Sequence, residues 1–178
     1  MGTKLFNNSW FLGVKGFALI LLAIYALIDR APEFSSNLIS TTGYIFILSG
    51  ISVAAFGLSN KRIVIIWFFV TEAIADVFIG FIMLVGQGHF ENRAYQWIIG
   101  VWILTMGFFA LLSRLEKTKF NSNKVFSISM WVISVITGLL FLLPATSSVI
   151  SMSAVFGAYL VLIGAYFIIQ FMKYSRLT

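Results

Sequence analysis

Long apolar runs separated by short polar clusters organise this chain. Runs such as 63–70 (IVIIWFFV) and 155–169 (VFGAYLVLIGAYFII) carry no charge and do not alternate between apolar and polar residues. An α-helix crosses the hydrocarbon core with about 20 apolar residues. A spanning β-strand would instead show alternating segments of about 10 residues. Backbone N–H and C=O groups cannot be left bare in lipid, so the runs predict transmembrane helices. The pattern places six, at about 11–30, 38–59, 62–85, 94–115, 124–143 and 148–171.

The connections are short. Ala31-Pro32 ends the first helix, because proline cannot continue the hydrogen-bond ladder. Leu58 to Lys61 makes the second turn, and Gly86 to Asn92 the third. Glu116 to Asn123 is the longest polar stretch, and Pro144 with Thr146, Ser147 and Ser148 marks the fifth connection. The first run, 16–28, is followed by more spans and by no clear small-residue cleavage site, so it reads as a retained helix.

The glycines repeat. Gly43 and Gly50 are seven apart, as are Gly100 and Gly107, and Gly157 and Gly164. Gly43, Gly100 and Gly157 are spaced by 57 residues, and the second members follow the same spacing. The local strings are GYIFILSG, GVWILTMG and GAYLVLIG. Trp10 aligns with Trp67 at the same period, while Gly80 falls one residue out of step with Gly138. The expectation is a single domain of three two-helix repeats, about 1–60, 61–117 and 118–178. Two helices per unit give every unit the same orientation, which predicts a pseudo-threefold axis along the membrane normal. Glycines seven apart return to nearly the same face, drifting about 20°. Such a small-residue face lets backbones approach closely, so the even helices are expected to line the bundle centre.

Composition supports this picture. Of 178 residues, 60% are hydrophobic and 10% are charged, against about 25% charged in soluble domains. The mean hydropathy is +1.00. The absence of cysteine excludes disulfides, thiolate nucleophiles and Cys metal sites. One histidine singles out no zinc-ligand spacing, so no metal or other cofactor is expected. Net charge is +6 and the pI about 9.8, but the basic residues flank spans, so nucleic-acid binding is not expected.

Charge bias sets the orientation. One side carries Lys4, Lys15, Lys61, Arg62, Arg114, Lys117, Lys119, Lys124, Lys173 and Arg176; the other carries only Arg30 and Arg93. Cytoplasmic loops are rich in Lys and Arg, so both termini are expected in the cytoplasm. Trp10, Trp67, Tyr95 and Trp97 lie near span ends, where amphipathic rings favour the interface.

The strongest chemical anomaly is Glu72 and Asp76, deep in the third span and four residues apart on one helix face. Intramembrane carboxylates are costly and usually face the bundle interior or a wet cavity. The pair is therefore a candidate proton or cation site. The alternative is a structural anchor for hydroxyl donors such as Ser49, Ser52, Thr105 and Tyr159. No basic residue is expected at matching depth, with Lys15 and Arg114 at the cytoplasmic edge. A second cluster, His89, Glu91 and Arg93, sits in a non-cytoplasmic loop, with Asp29, Arg30 and Glu33 in the loop before it. Histidine titrates near physiological pH, so this is a candidate pH-responsive loop, or else simply a solvated one. The serines of 147–153 (SSVISMS) form a polar stripe. There is no nucleophile elbow, HExxH or phosphate loop, so no catalytic residue and no enzymatic activity are expected.

The last third, GLLFLLPATSSVISMSAVFGAYLVLIGAYFII from Gly138 to Ile169, resembles the two-helix unit of the bacterial HdeD-like family of small inner-membrane proteins. The resemblance rests on Gly138, Pro144, Ala145, Gly157 and Gly164, and more loosely on Pro32, Gly43, Tyr44 and Gly50. The middle third keeps Gly80, Gly100 and Gly107 but has Gly86, Gln87, Gly88 and His89 where the proline would stand. The resemblance implies a six-helix bacterial inner-membrane protein linked to acid or envelope stress resistance, without established catalytic residues. Three functions are open from the sequence: a stress-protective structural protein, a small proton-linked transporter or channel using Glu72 and Asp76, and an adaptor docking through its glycine faces. Expected partners are membrane lipids and either further copies of the chain or a larger membrane complex.

Overall fold

The computed structural model of the protein describes residues 9–29, 34–59, 66–115, 124–143 and 151–175. The predicted breaks at Ala31-Pro32 and Pro144, Asn60 and Lys61 of the second turn, and the polar stretch Glu116 to Asn123 lie outside them. Among the described residues there are six helices: α1 (Trp10–Ile28), α2 (Ser36–Ser59), α3 (Ile66–Val85), α4 (Asn92–Leu115), α5 (Lys124–Leu142) and α6 (Met152–Ser175). α2, α4 and α6 each have 24 residues, about 36 Å of helix at 1.5 Å per residue. Among the described residues, four segments are long and apolar enough to cross a bilayer: Trp10–Ile28, Ser36–Ser59, Asn92–Leu111 and Met152–Lys173; Ser127–Leu142 is a shorter apolar helix.

Serines set two of the starts. The Ser35 hydroxyl accepts the Leu38 N–H at 3.1 Å, and the Ser151 hydroxyl accepts the Ala154 N–H at 3.4 Å. Each satisfies an orphan donor of a first helical turn. This moves the sixth helix start from the expected residue 148 to Met152, with part of the predicted serine stripe used as a cap. The Ser35 hydroxyl also donates to Asp29, joining the end of α1 to the start of α2. Between α3 and α4 the chain reverses through Gly86–Phe90. The Gly86 carbonyl accepts both the His89 and Phe90 N–H groups at 3.0 Å. Gly88 adopts φ +75° there, a left-handed conformation that glycine takes without steric cost. Gln87 then donates to Ser40 and to the Ser36 carbonyl, fastening the turn to the start of α2.

The closest helix pairs are α2 with α3, α4 with α5, and α1 with α6. The glycines explain these pairings. A methyl group on Gly43 would lie 3.0 Å from the Gly80 carbonyl oxygen, and one on Gly50 would lie 2.7 Å from that of Ala73. Gly157 stands the same way over Ala23 (3.0 Å) and Gly164 over Gly16 (2.9 Å). Gly100 faces the Gly138 carbonyl (3.2 Å), and Gly107 the Ser134 Cβ (2.5 Å). Ala23 and Gly80 are 57 residues apart, as are Gly16 and Ala73. Gly138 follows Gly80 by 58, so α5 meets its partner one residue out of register.

The packing corrects the reason for which the even helices were expected at the centre. The glycine faces do not line it; they seat α2 on α3, α4 on α5 and α6 on α1, where backbone-to-backbone approach needs a missing side chain. All six glycines are therefore taken up within the chain, which removes the glycine faces as an adaptor's docking surface. The even helices meet instead through large rings. Phe46 of α2, Trp102 of α4 and Phe156 and Tyr159 of α6 form one buried cluster, with Trp102 4.3 Å from Phe46 and 6.1 Å from Tyr159, centroid to centroid. Phe34 and Phe141 extend it past Phe156. The outward faces carry Phe17, Ile24, Tyr44, Trp67, Ile74 and Phe108, exposed as lipid-facing positions would be.

Candidate functional site: a buried ion triad

Glu72 and Asp76 lie one turn apart on α3 and are both fully enclosed, at 2% and 0% exposure. The residue that answers them is Lys15 of α1, itself 0% exposed. Its Nζ donates to Glu72 Oε1 at 2.5 Å and to Asp76 Oδ2 at 2.8 Å. The same ammonium lies 4.3 Å from the centre of the Phe167 ring on α6, a cation–π contact. The expectation that no basic residue reaches the carboxylates is thus overturned. Lys15 sits next to Gly16, where α1 approaches α6 most closely. Packed there, its side chain runs inward instead of snorkelling to the headgroups. Lys15 also leaves the tally of flanking charges, which becomes nine against two.

Asp76 is the hub. Oδ2 accepts from the Ser49 hydroxyl of α2 at 2.7 Å as well as from Lys15. Oδ1 accepts the Trp102 indole N–H of α4 at 2.8 Å. One carboxylate on α3 therefore binds donors from α1, α2 and α4. Charge-assisted bonds of this kind are the strong ones among protein hydrogen bonds. Among the described residues Glu72 receives Lys15, on Oε1. Of the other hydroxyls weighed as donors, Ser52 bonds to the Leu48 carbonyl and Thr105 to the Val101 carbonyl, each inside its own helix. Tyr159 pairs with Ser134 of α5 at 3.0 Å. Ser134 spends its own proton on the Met130 carbonyl (2.7 Å), so Tyr159 is the donor.

The repeat period relates these contacts. Lys15 and Glu72 are 57 residues apart. Trp102 and Tyr159 are also 57 apart. Asp76 stands 26 residues before Trp102 and Ser134 stands 25 before Tyr159, the difference being the one-residue shift of α5. The Asp76–Trp102 and Ser134–Tyr159 bonds are thus alike, each joining an odd helix to the next even one, once through a carboxylate and once through a hydroxyl. The spacing already present in the glycines could have singled out Lys15 as the counterpart of Glu72.

The loop residues do not converge. His89, Glu91 and Arg93 are exposed and share no hydrogen bond or ion pair with one another among the described residues. The Arg93 guanidinium instead lies 5.4 Å from the Trp97 ring centre. Arg30 and Glu33 lie outside the described residues, and Asp29 accepts from Ser35. No group of three or more His, Cys, Asp or Glu among the described residues is arranged to hold a metal ion.

No protein-family model matches the chain, and no curated protein or solved structure is similar to it.

Proposed function

We propose that this chain is a non-enzymatic, stress-protective component of the bacterial inner membrane, built as three parallel two-helix repeats that all span the bilayer, with both termini cytoplasmic. The observation that carries the reading is the closed triad. Lys15, Glu72 and Asp76 are enclosed to within 3% of full burial, and both oxygens of Asp76 are held by protein donors. A buried ion pair stripped of one partner is strongly destabilised, so such a centre serves to hold four helices in one arrangement. The resemblance of Gly138–Ile169 to HdeD-like units supports the stress-protective role and the six-span plan. The equivalent contacts one period apart support the pseudo-threefold arrangement.

Reconstitution into liposomes with a pH-sensitive dye inside tests the static reading. Vesicles bearing the protein should match empty ones under an imposed proton gradient. Proton entry that vanishes in Glu72→Gln or Asp76→Asn would replace this reading with that of a small proton-linked transporter. The observation favouring the transporter is the acidic surplus of the triad, two carboxyls to one ammonium, because intramembrane ionisable groups often mark proton paths.

A further inference from the structure

The triad holds one positive group and two acidic ones in a space sealed from solvent. With all three ionised, the centre would carry a net charge of −1. An unbalanced charge in a low-dielectric interior is costly, and the group neutralises instead. Among the described residues, Lys15 is the cation paired with both Glu72 and Asp76. Neutrality is then reached by binding one proton.

The hydrogen bonds decide which carboxyl takes it. Asp76 accepts three donors, from Lys15, Ser49 and Trp102, and these stabilise it as an anion. Glu72 accepts one among the described residues, Lys15 on Oε1, and its side chain holds the triad's residual exposure of 3%. We propose that the Lys15–Glu72–Asp76 triad is a single-proton binding site, with the proton carried by Glu72 on Oε2 while Asp76 and Lys15 remain a charged pair. The other helices supply no competing acid at the site. α2 contributes Ser49, α4 Trp102 and α5 Ser134, none of which titrates near neutrality; α6 contributes Phe167 and Tyr159, whose phenol is engaged with Ser134. The proposal deepens the reading above by naming the ligand of the same site, and it rests on the bundle being membrane-embedded.

Infrared spectroscopy of the full chain in lipid at neutral pH tests it, because a protonated carboxyl has a carbonyl band separate from that of carboxylates. The chain has six acidic residues, so variants make the assignment. The wild type should show one such band, shifted in D2O. Glu72→Gln should abolish it. Asp76→Asn should abolish it too, because one ammonium then balances one carboxylate. Lys15→Met should double it. Absence of the band in the wild type, where no variant need fold, would overturn the proposal, as would a band that persists in Glu72→Gln. Proton flux in the vesicle assay alongside an intact band would sink the static function and leave the proton site standing.

Discussion

Lys15 and Glu72 stand one repeat period apart in the chain and touch at 2.5 Å in the fold. Two identical charges at that distance would repel, whereas lysine and glutamate attract, and Asp76 adds Ser49 and Trp102 to the same knot.

Removing the cation should cost more than removing the whole cluster. Lys15→Met leaves two enclosed carboxyls without their partner and is expected to lower stability by about 3–5 kcal/mol. Adding Glu72→Gln and Asp76→Asn to it should recover most of that loss. Denaturant unfolding in detergent micelles, read by circular dichroism, checks the pair; a triple variant weaker than Lys15→Met would refute the charge-balance account.

Trp102→Phe keeps a ring against Phe46 but deletes the donor to Asp76 Oδ1. A hydrogen bond to a charged group contributes about 1.5–3 kcal/mol, and the same unfolding measurement should show a loss of that size. Tyr159→Phe, which deletes a bond to the neutral Ser134 hydroxyl, should cost less. Equal losses would mean that Asp76 does not draw on the indole.

Glycine contacts should rank by what the new methyl group meets. Gly50→Ala places it 2.7 Å from the Ala73 carbonyl oxygen and 2.6 Å from a Val77 methyl. Overpacking of this kind costs about 1–3 kcal/mol. Gly13→Ala meets the Phe171 ring first, at 3.2 Å, and that ring can give. Its loss should be offset by the better helix propensity of alanine, about 1 kcal/mol. Gly164→Leu should prevent α1 and α6 from closing, seen as loss of a monodisperse peak in size-exclusion chromatography.

Topology can be read with single cysteines, since the chain has none of its own. His89→Cys should react with a membrane-impermeant maleimide from outside intact cells. Ser175→Cys should react only after the membrane is opened. Labelling of both from outside would overturn the orientation argued from lysine and arginine.

The helices were legible because their cause is local. Long, predominantly apolar runs must coil in lipid, and the predicted spans 62–85, 94–115 and 124–143 lie within a few residues of α3, α4 and α5. The glycine spacing was legible as well, but its meaning was not. Period and face pointed to small residues, and only the packing showed that Gly43 meets Gly80 and Gly164 meets Gly16 across unit boundaries. Glu72 and Asp76 stood out because carboxyls are rare at that depth. Their partner did not, because a lysine six residues into a helix reads as one that snorkels. Trp102 was hidden for a related reason: an indole among apolar neighbours looks like packing until its N–H is seen to aim at a carboxylate.

Hydrophobicity and spacing are properties of the chain taken along its length, and they sufficed for the six helices of the described residues, four of them long and apolar enough to cross a bilayer, and for a 57-residue spacing of glycines. Which side chains converge is a property of several helices at once. The meeting of Lys15, Ser49 and Trp102 around Asp76 required four helices to be docked in register, and the close α1–α6 approach at Gly16 placed the ammonium inside the bundle, near Phe167, when the sequence left it free to reach the surface.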